Sequence, residues 1–184
     1  MTHPIWYIAL EKFGPDYGKA WQDYLAWANL PQLRELVSLD ISLCPTLFSA
    51  ITAEDWLHNV REDYLTSFFT DLDYLLARVK QARGALEGNL LAAVREPEPP
   101  DLQAWQDARF VFQGFDLVES PGLGVSALNN CGGFELAFLP GDLNPVGLLD
   151  EHGYARAVQR RLRGHYPTEH HANCSLWAIW RLEK

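Results

Sequence analysis

An apolar stripe runs through the middle of the chain and leaves few architectures open to it. Trp56, Val60, Tyr64, Phe68, Leu72, Leu75 and Val79 recur at spacings of three and four, and Leu57, Leu65, Phe69 and Leu76 widen the stripe. At 100° per residue these side chains share one broad face of a helix. Thr52 offers an N-cap, with Asp55 three residues on in the place of a capping-box acid. The spacing predicts a long, mostly buried helix over 52–83, with Asp55, Glu62, Asp63 and Asp73 projecting from its other side. Such a helix needs a second layer to bury it.

The rest of the chain supplies that layer. Ile5–Leu10 is a short aromatic and β-branched run and reads as a first strand. Gly14, Pro15 and Asp16 break it, and Tyr17, Ala20, Trp21, Tyr24 and Ala28 then mark an amphipathic helix that ends before Pro31. Leu36–Leu43 alternates in part and reads as a second strand. After Gly84 and Gly88 a short helix is expected to resume through Val94. Phe110–Glu119 reads as a strand with a bulge at Gly114. Asp150 is placed to cap a last helix with Tyr154, Ala155, Val158 and Leu162 on one face, ended by Gly164, and Cys174–Leu182 is a final strand. Strands and helices alternate irregularly. The expected class is therefore α+β, a mixed β-sheet packed against a long central helix and flanking helices. Residues 1–184 are read as one domain, with the stiff Pro-rich stretch 96–100 as an internal loop.

Charge narrows the function. The formal net charge is −9, and residues 1–120 carry 9 Lys and Arg against 18 Asp and Glu, whereas residues 121–184 carry 6 against 6. Such a surface repels phosphate backbones, which argues against nucleic-acid binding, and attracts a basic protein. Cys44, Cys131 and Cys174 are odd in number and widely spaced, which suits a reducing compartment and not a disulfide framework. The N-terminus has no basic run before its apolar segment, and no uncharged stretch approaches the ~20 residues of a membrane span. A cytoplasmic protein without leader or membrane association is expected.

Three chemistries can be weighed from residue types. Gly122, Gly124 and Ala127 match a loose dinucleotide fingerprint, but Leu128, Asn129, Asn130 and Cys131 do not start the helix that the motif requires. His170, His171 and Cys174, with Cys131 as a distant fourth, have ligand types suited to zinc, yet no Cys-x-x-Cys pair completes a structural site. Cys131 with His171 could form a nucleophile and base for a hydrolase or transferase, beside the open backbone of Gly132 and Gly133. Free cysteines are usually buried and an Asn-Asn-Cys-Gly-Gly run usually turns, so no catalytic residue, cofactor or metal is assigned. Asp55, Glu62, Asp63 and Asp73 are the candidate partner-binding residues.

Several stretches resemble one family as a set: Asp55 and Trp56 through Glu62, Asp63 and Tyr64, then Phe68 to Leu76, Gly114 to Glu119, Ser126 to Phe134, Leu143 with Asn144, Gly147 with Leu148, His171 to Cys174, and Trp177 to Arg181. They resemble a family of small bacterial cytosolic proteins similar to the immunity proteins of polymorphic toxin systems. The resemblance covers most of residues 50–182 and carries over no catalytic residue. It implies a protein that binds and inhibits a cognate, basic toxin. The competing expectations are the Cys131–His171 enzyme and an adaptor domain for another partner.

Overall fold

A computed structural model describes residues 3–43, 53–59, 68–81, 88–99, 102, 107–119, 124–129 and 134–183. Four strands, β1 (Ile5–Glu11), β2 (Gly88–Arg95), β3 (Phe110–Glu119) and β4 (Cys174–Leu182), form a sheet of order β1-β2-β4-β3. Every pairing is antiparallel, so the sheet is not mixed. The described helices are α1 (Lys19–Ala28), α2 (Ala53–His58), α3 (Leu72–Gln81) and α4 (His152–His165). The α+β class holds at that level.

β1, β3 and β4 fall where alternation and aromatic content place them. β4 is buried at every position from Cys174 to Trp180 because it lies between two strands and is covered on both faces. β2 lies where a helix was expected. Its run of Leu90, Leu91, Ala92, Ala93 and Val94 suits a helix by propensity, but a short apolar run bounded by Gly88 and Pro97 also fits an inner strand. Pairing to both β1 and β4 decides the matter.

The stretch expected to be one helix is divided. Asn59 pairs with Phe69, and Phe69 exchanges two backbone hydrogen bonds with Tyr7 at 2.7 and 2.8 Å, along the outer edge of β1. Phe68, Leu72 and Leu75 are buried, as the stripe requires, but the backbone pairing of residue 69 satisfies a sheet edge that would otherwise be open. α3 packs on the face of Tyr7, Ala9 and Leu90, where Phe69 and Leu75 form a small separate cluster. Trp6, Ile8 and Leu10 point the other way, into the main core.

The opposite edge is closed similarly. Phe115 exchanges two backbone hydrogen bonds with Leu149, and Ala127 N–H donates to Leu117 O. The β3–β4 register shifts between Phe112 and Gly114, as the glycine suggested. Gly114 has φ +137°, and a Cβ there would lie 2.8 Å from both Leu148 Cβ and Leu149 O. Only glycine lets the loop approach the strand this closely.

Leu36–Leu43 is not a strand. After one bridge, Leu36 to Phe13, the chain turns into a 3₁₀ segment at Ile41–Leu43. Side chains take over the backbone bonds: Ser38 Oγ accepts from Asp40 N–H, Asp40 Oδ1 from Ser42 N–H, and Asp116 Oδ2 from Leu39 N–H. Short polar residues compete in this way with a ladder. α4 starts after Glu151, whose side chain makes no cap, while Asp150 accepts from Asn144 instead. The helix runs through Gly164 to His165, and Ala155, Val158 and Leu162 face the core.

Candidate functional site

α1 is short, and its aromatic residues do more than fill a core. Trp21 is buried, while Tyr17 just before the helix is 41% exposed and Trp27 is 62% exposed. Phe13, at the end of β1, sits edge-on to Tyr17, Trp21 and Tyr24, with centroids 5.0, 5.3 and 5.4 Å away. Tyr24 and Trp27 continue the array at 6.2 Å. Edge-to-face contacts of this kind hold the rings rigidly. The Leu36–Phe13 bridge fixes the facing loop, so the aromatic row borders a cleft of about 470 Å³.

The cleft joins these rings to polar groups of one character. Glu11, Phe13, Tyr17, Tyr24 and Trp27 line one side; Leu36, Asp40, Ser42, Leu43, Val125 and Asn129 complete it. Glu11 stands beside Tyr17, whose phenol is pushed up by burial and by the Glu11 carboxylate. Asp40 is fixed by backbone N–H donors from Ser42 and Ser126, at 3.0 and 3.2 Å. Among the described residues, no Lys, Arg or His lines this cleft. Asn129 is the most enclosed of its polar residues, 7% exposed, and neither Oδ1 nor Nδ2 has a hydrogen-bond partner among the described residues. Leaving a buried amide unpaired costs about 1–3 kcal/mol, and both of its polar atoms are closed off from solvent.

Beneath the cleft lies its anchor. Asp116 on β3 is fully buried and accepts from four donors, the Ser38 and Ser126 hydroxyls and the backbone N–H groups of Leu39 and Leu117. Burial pushes its carboxyl up despite those donors. Its bonds tie residues 38–39 and 126 to the sheet, which positions Asp40 and Asn129.

Of the candidate partner-binding acids, the described Asp55 and Asp73 differ in place, one buried and one exposed. Asp55 is 1% exposed and is held between Tyr74 Oη, which donates at 2.7 Å, and Arg78, whose Nε lies 3.0 Å away. Burial, reinforced by this carboxylate, pushes the Tyr74 phenol up to about 12. Asp73 is exposed on α3, and Glu62 and Asp63 lie outside the described residues. Residues lost to the interior are matched by one gained at the surface, since Leu57 is 82% exposed. α2 is turned relative to its expected face.

Of the candidate thiols and imidazoles, Cys174, His170 and His171 are among the described residues. Cys174 is fully buried, and burial pushes its thiol up to about 12. His171 is buried against Phe134, 5.0 Å between ring centroids, with neither ring nitrogen hydrogen-bonded among the described residues, and burial lowers its basicity. His170 is exposed, with Nδ1 3.4 Å from Glu119 Oε1. Cys44 and Cys131 lie outside the described residues, as does Gly122; residues 126–129 of the fingerprint region form a bridge and a turn. Among the described residues no group of three or more His, Cys, Asp or Glu is placed to hold a metal ion, and no helix is long and apolar enough to cross a membrane.

Sequence reasoning found the aromatic α1 but not its cleft. Trp27 falls beside the apolar stripe of that helix, where nothing local says whether a ring is covered. The other wall of its cleft includes the 36–43 loop, and Ser38 and Leu39 of that loop are held by the remote Asp116. Compared with known proteins, the chain matches no family model, no curated protein and no solved structure.

Proposed function

We propose that this protein acts by binding another protein, and that it is a toxin-neutralising immunity protein that works in the cytoplasm of a bacterium and inhibits a cognate basic toxin. The observation that carries the reading is the rigid aromatic cleft with an exposed Trp27 at its rim, on a chain of net charge −9. Tryptophan and tyrosine dominate the energetics of protein interfaces, because they offer large contact area at little entropic cost. An exposed tryptophan beside other rings offers a partner a large apolar contact. Long-range negative potential brings a basic partner in quickly, and the buried rings then hold it.

Inhibition follows from occupancy. A toxin that acts on nucleic acid presents a basic active site, and an acidic protein docked there excludes the substrate by charge and by bulk. The Asp73 carboxylate, exposed on α3, adds to the field without being part of the cleft.

The test is co-expression with a basic toxin captured by this protein from its native cell, scored as growth of the host. The parent protein is expected to restore growth, and Trp27→Ala to restore it poorly at equal soluble level. Full protection by Trp27→Ala would remove the cleft from the interface, and no protection by the parent would remove the immunity reading.

A further inference from the structure

We infer that the aromatic cleft is a guanidinium site, into which one arginine side chain of a basic partner inserts; this rests on the partner-binding reading above and names what the cleft reads. Two features of the cleft converge on that group. Its walls are the ring faces and edges of Phe13, Tyr17, Tyr24 and Trp27, which attract a cation through the ring quadrupole. Its polar rim holds the carboxylates of Glu11 and Asp40 and, among the described residues, no opposing cation.

The chemistry discriminates among occupants. An anionic group meets Glu11 and Asp40 and is repelled. An apolar side chain fills the volume but leaves the Glu11 and Asp40 carboxylates without a counter-charge. A lysine ammonium brings three donors on one point and no plane to stack. An arginine brings five donors in a flat fork, one face for the rings and one end for acceptors. Asp40 already accepts from Ser42 N–H on Oδ1 and from Ser126 N–H on Oδ2, which leaves a lone pair on each oxygen and fixes the carboxylate in direction. Preorganised acceptors of this kind favour a charge-assisted bond over a hydrated one.

The site can be read without the partner. The parent protein, labelled with ¹⁵N, is titrated with N-acetyl-arginine methylamide, with its lysine counterpart and with its neutral citrulline counterpart. The Trp27 indole N–H signal, identified by its loss in Trp27→Phe, is expected to shift saturably with the arginine probe in the millimolar range. The lysine probe should bind at least about threefold more weakly, and the citrulline probe should leave the signal in place. In Trp27→Ala, which removes an exposed ring and leaves the core intact, the Asn129 side-chain amide signal should report about three- to tenfold weaker arginine binding. Equal shifts with citrulline, equal binding of lysine, or no shift with arginine each overturn the inference. Should arginine fail to bind while Trp27→Ala still abolishes growth rescue, the inference falls and the partner-binding reading stands. Should arginine bind as described while the parent protein restores no growth, the guanidinium site stands and the immunity reading falls.

Discussion

In an interior site Asp55 accepts from the Tyr74 hydroxyl and the Arg78 guanidinium, so removing its carboxylate takes a partner from both. Breaking one side of a buried ion pair costs about 3–5 kcal/mol, whereas reversing an exposed acid costs little. Asp55→Ala is therefore expected to lower the free energy of unfolding in urea by about 3–5 kcal/mol, and Asp73→Lys to leave it within about 0.5 kcal/mol. Cys174 makes a second residue-scale prediction. With its thiol pushed up to about 12 by burial, it should resist iodoacetamide in the folded protein near neutral pH and be alkylated once the protein is unfolded. Mapping of the modified peptides reads both states. Gly114→Ala should cost more than about 1–3 kcal/mol in the same urea experiment, because φ is +137° and the new Cβ meets both Leu148 and the Leu149 carbonyl.

Among the elements, Glu96 shows how the sheet and α4 are joined. It follows β2, and its Oε1 accepts from Leu176 N–H of β4 and from Gln159 of α4, while Oε2 pairs with Arg156. Partial burial works to raise its carboxyl, but the Leu176 donor and the Arg156 guanidinium outweigh that and hold it below the ordinary carboxylate range. A depressed carboxyl stabilises the fold above the unfolded-state value, about 4.3, and that contribution is lost as pH falls through the folded-state value. Glu96→Ala should thus cost about 1–3 kcal/mol at neutral pH, and the gap to the parent should close in strongly acid solution. What could be read from residues alone at this scale was local. β1 and β4 follow from aromatic and β-branched content within each run, β3 from its alternation, and the bulge at Gly114 from its one glycine. β2 did not, because Leu and Ala favour a helix until two neighbouring strands claim them. The 52–83 stripe misled for the same reason: Phe68, Leu72 and Leu75 are buried as a helix would bury them, yet Phe69 is recruited by Tyr7, far away in sequence.

At the scale of the whole molecule, charge and rings divide the work of binding. The excess of acids in residues 1–120 was legible in the sequence, since it needs only counting. The cleft was not, because it is assembled from β1, α1, the 36–43 loop and residues 125 and 129, and Asp116 ties the last two pieces together. Raising salt should slow association with a basic partner through the screened field, while removal of a buried ring should act after contact. Dissociation is thus the rate that bears on the cleft. The decisive observation is the dissociation rate of the cognate toxin from the parent protein and from Trp27→Ala, followed at fixed salt on purified complexes. The aromatic cleft as the anchor predicts at least about tenfold faster dissociation for Trp27→Ala with a nearly unchanged association rate. Identical dissociation from the two proteins would contradict it.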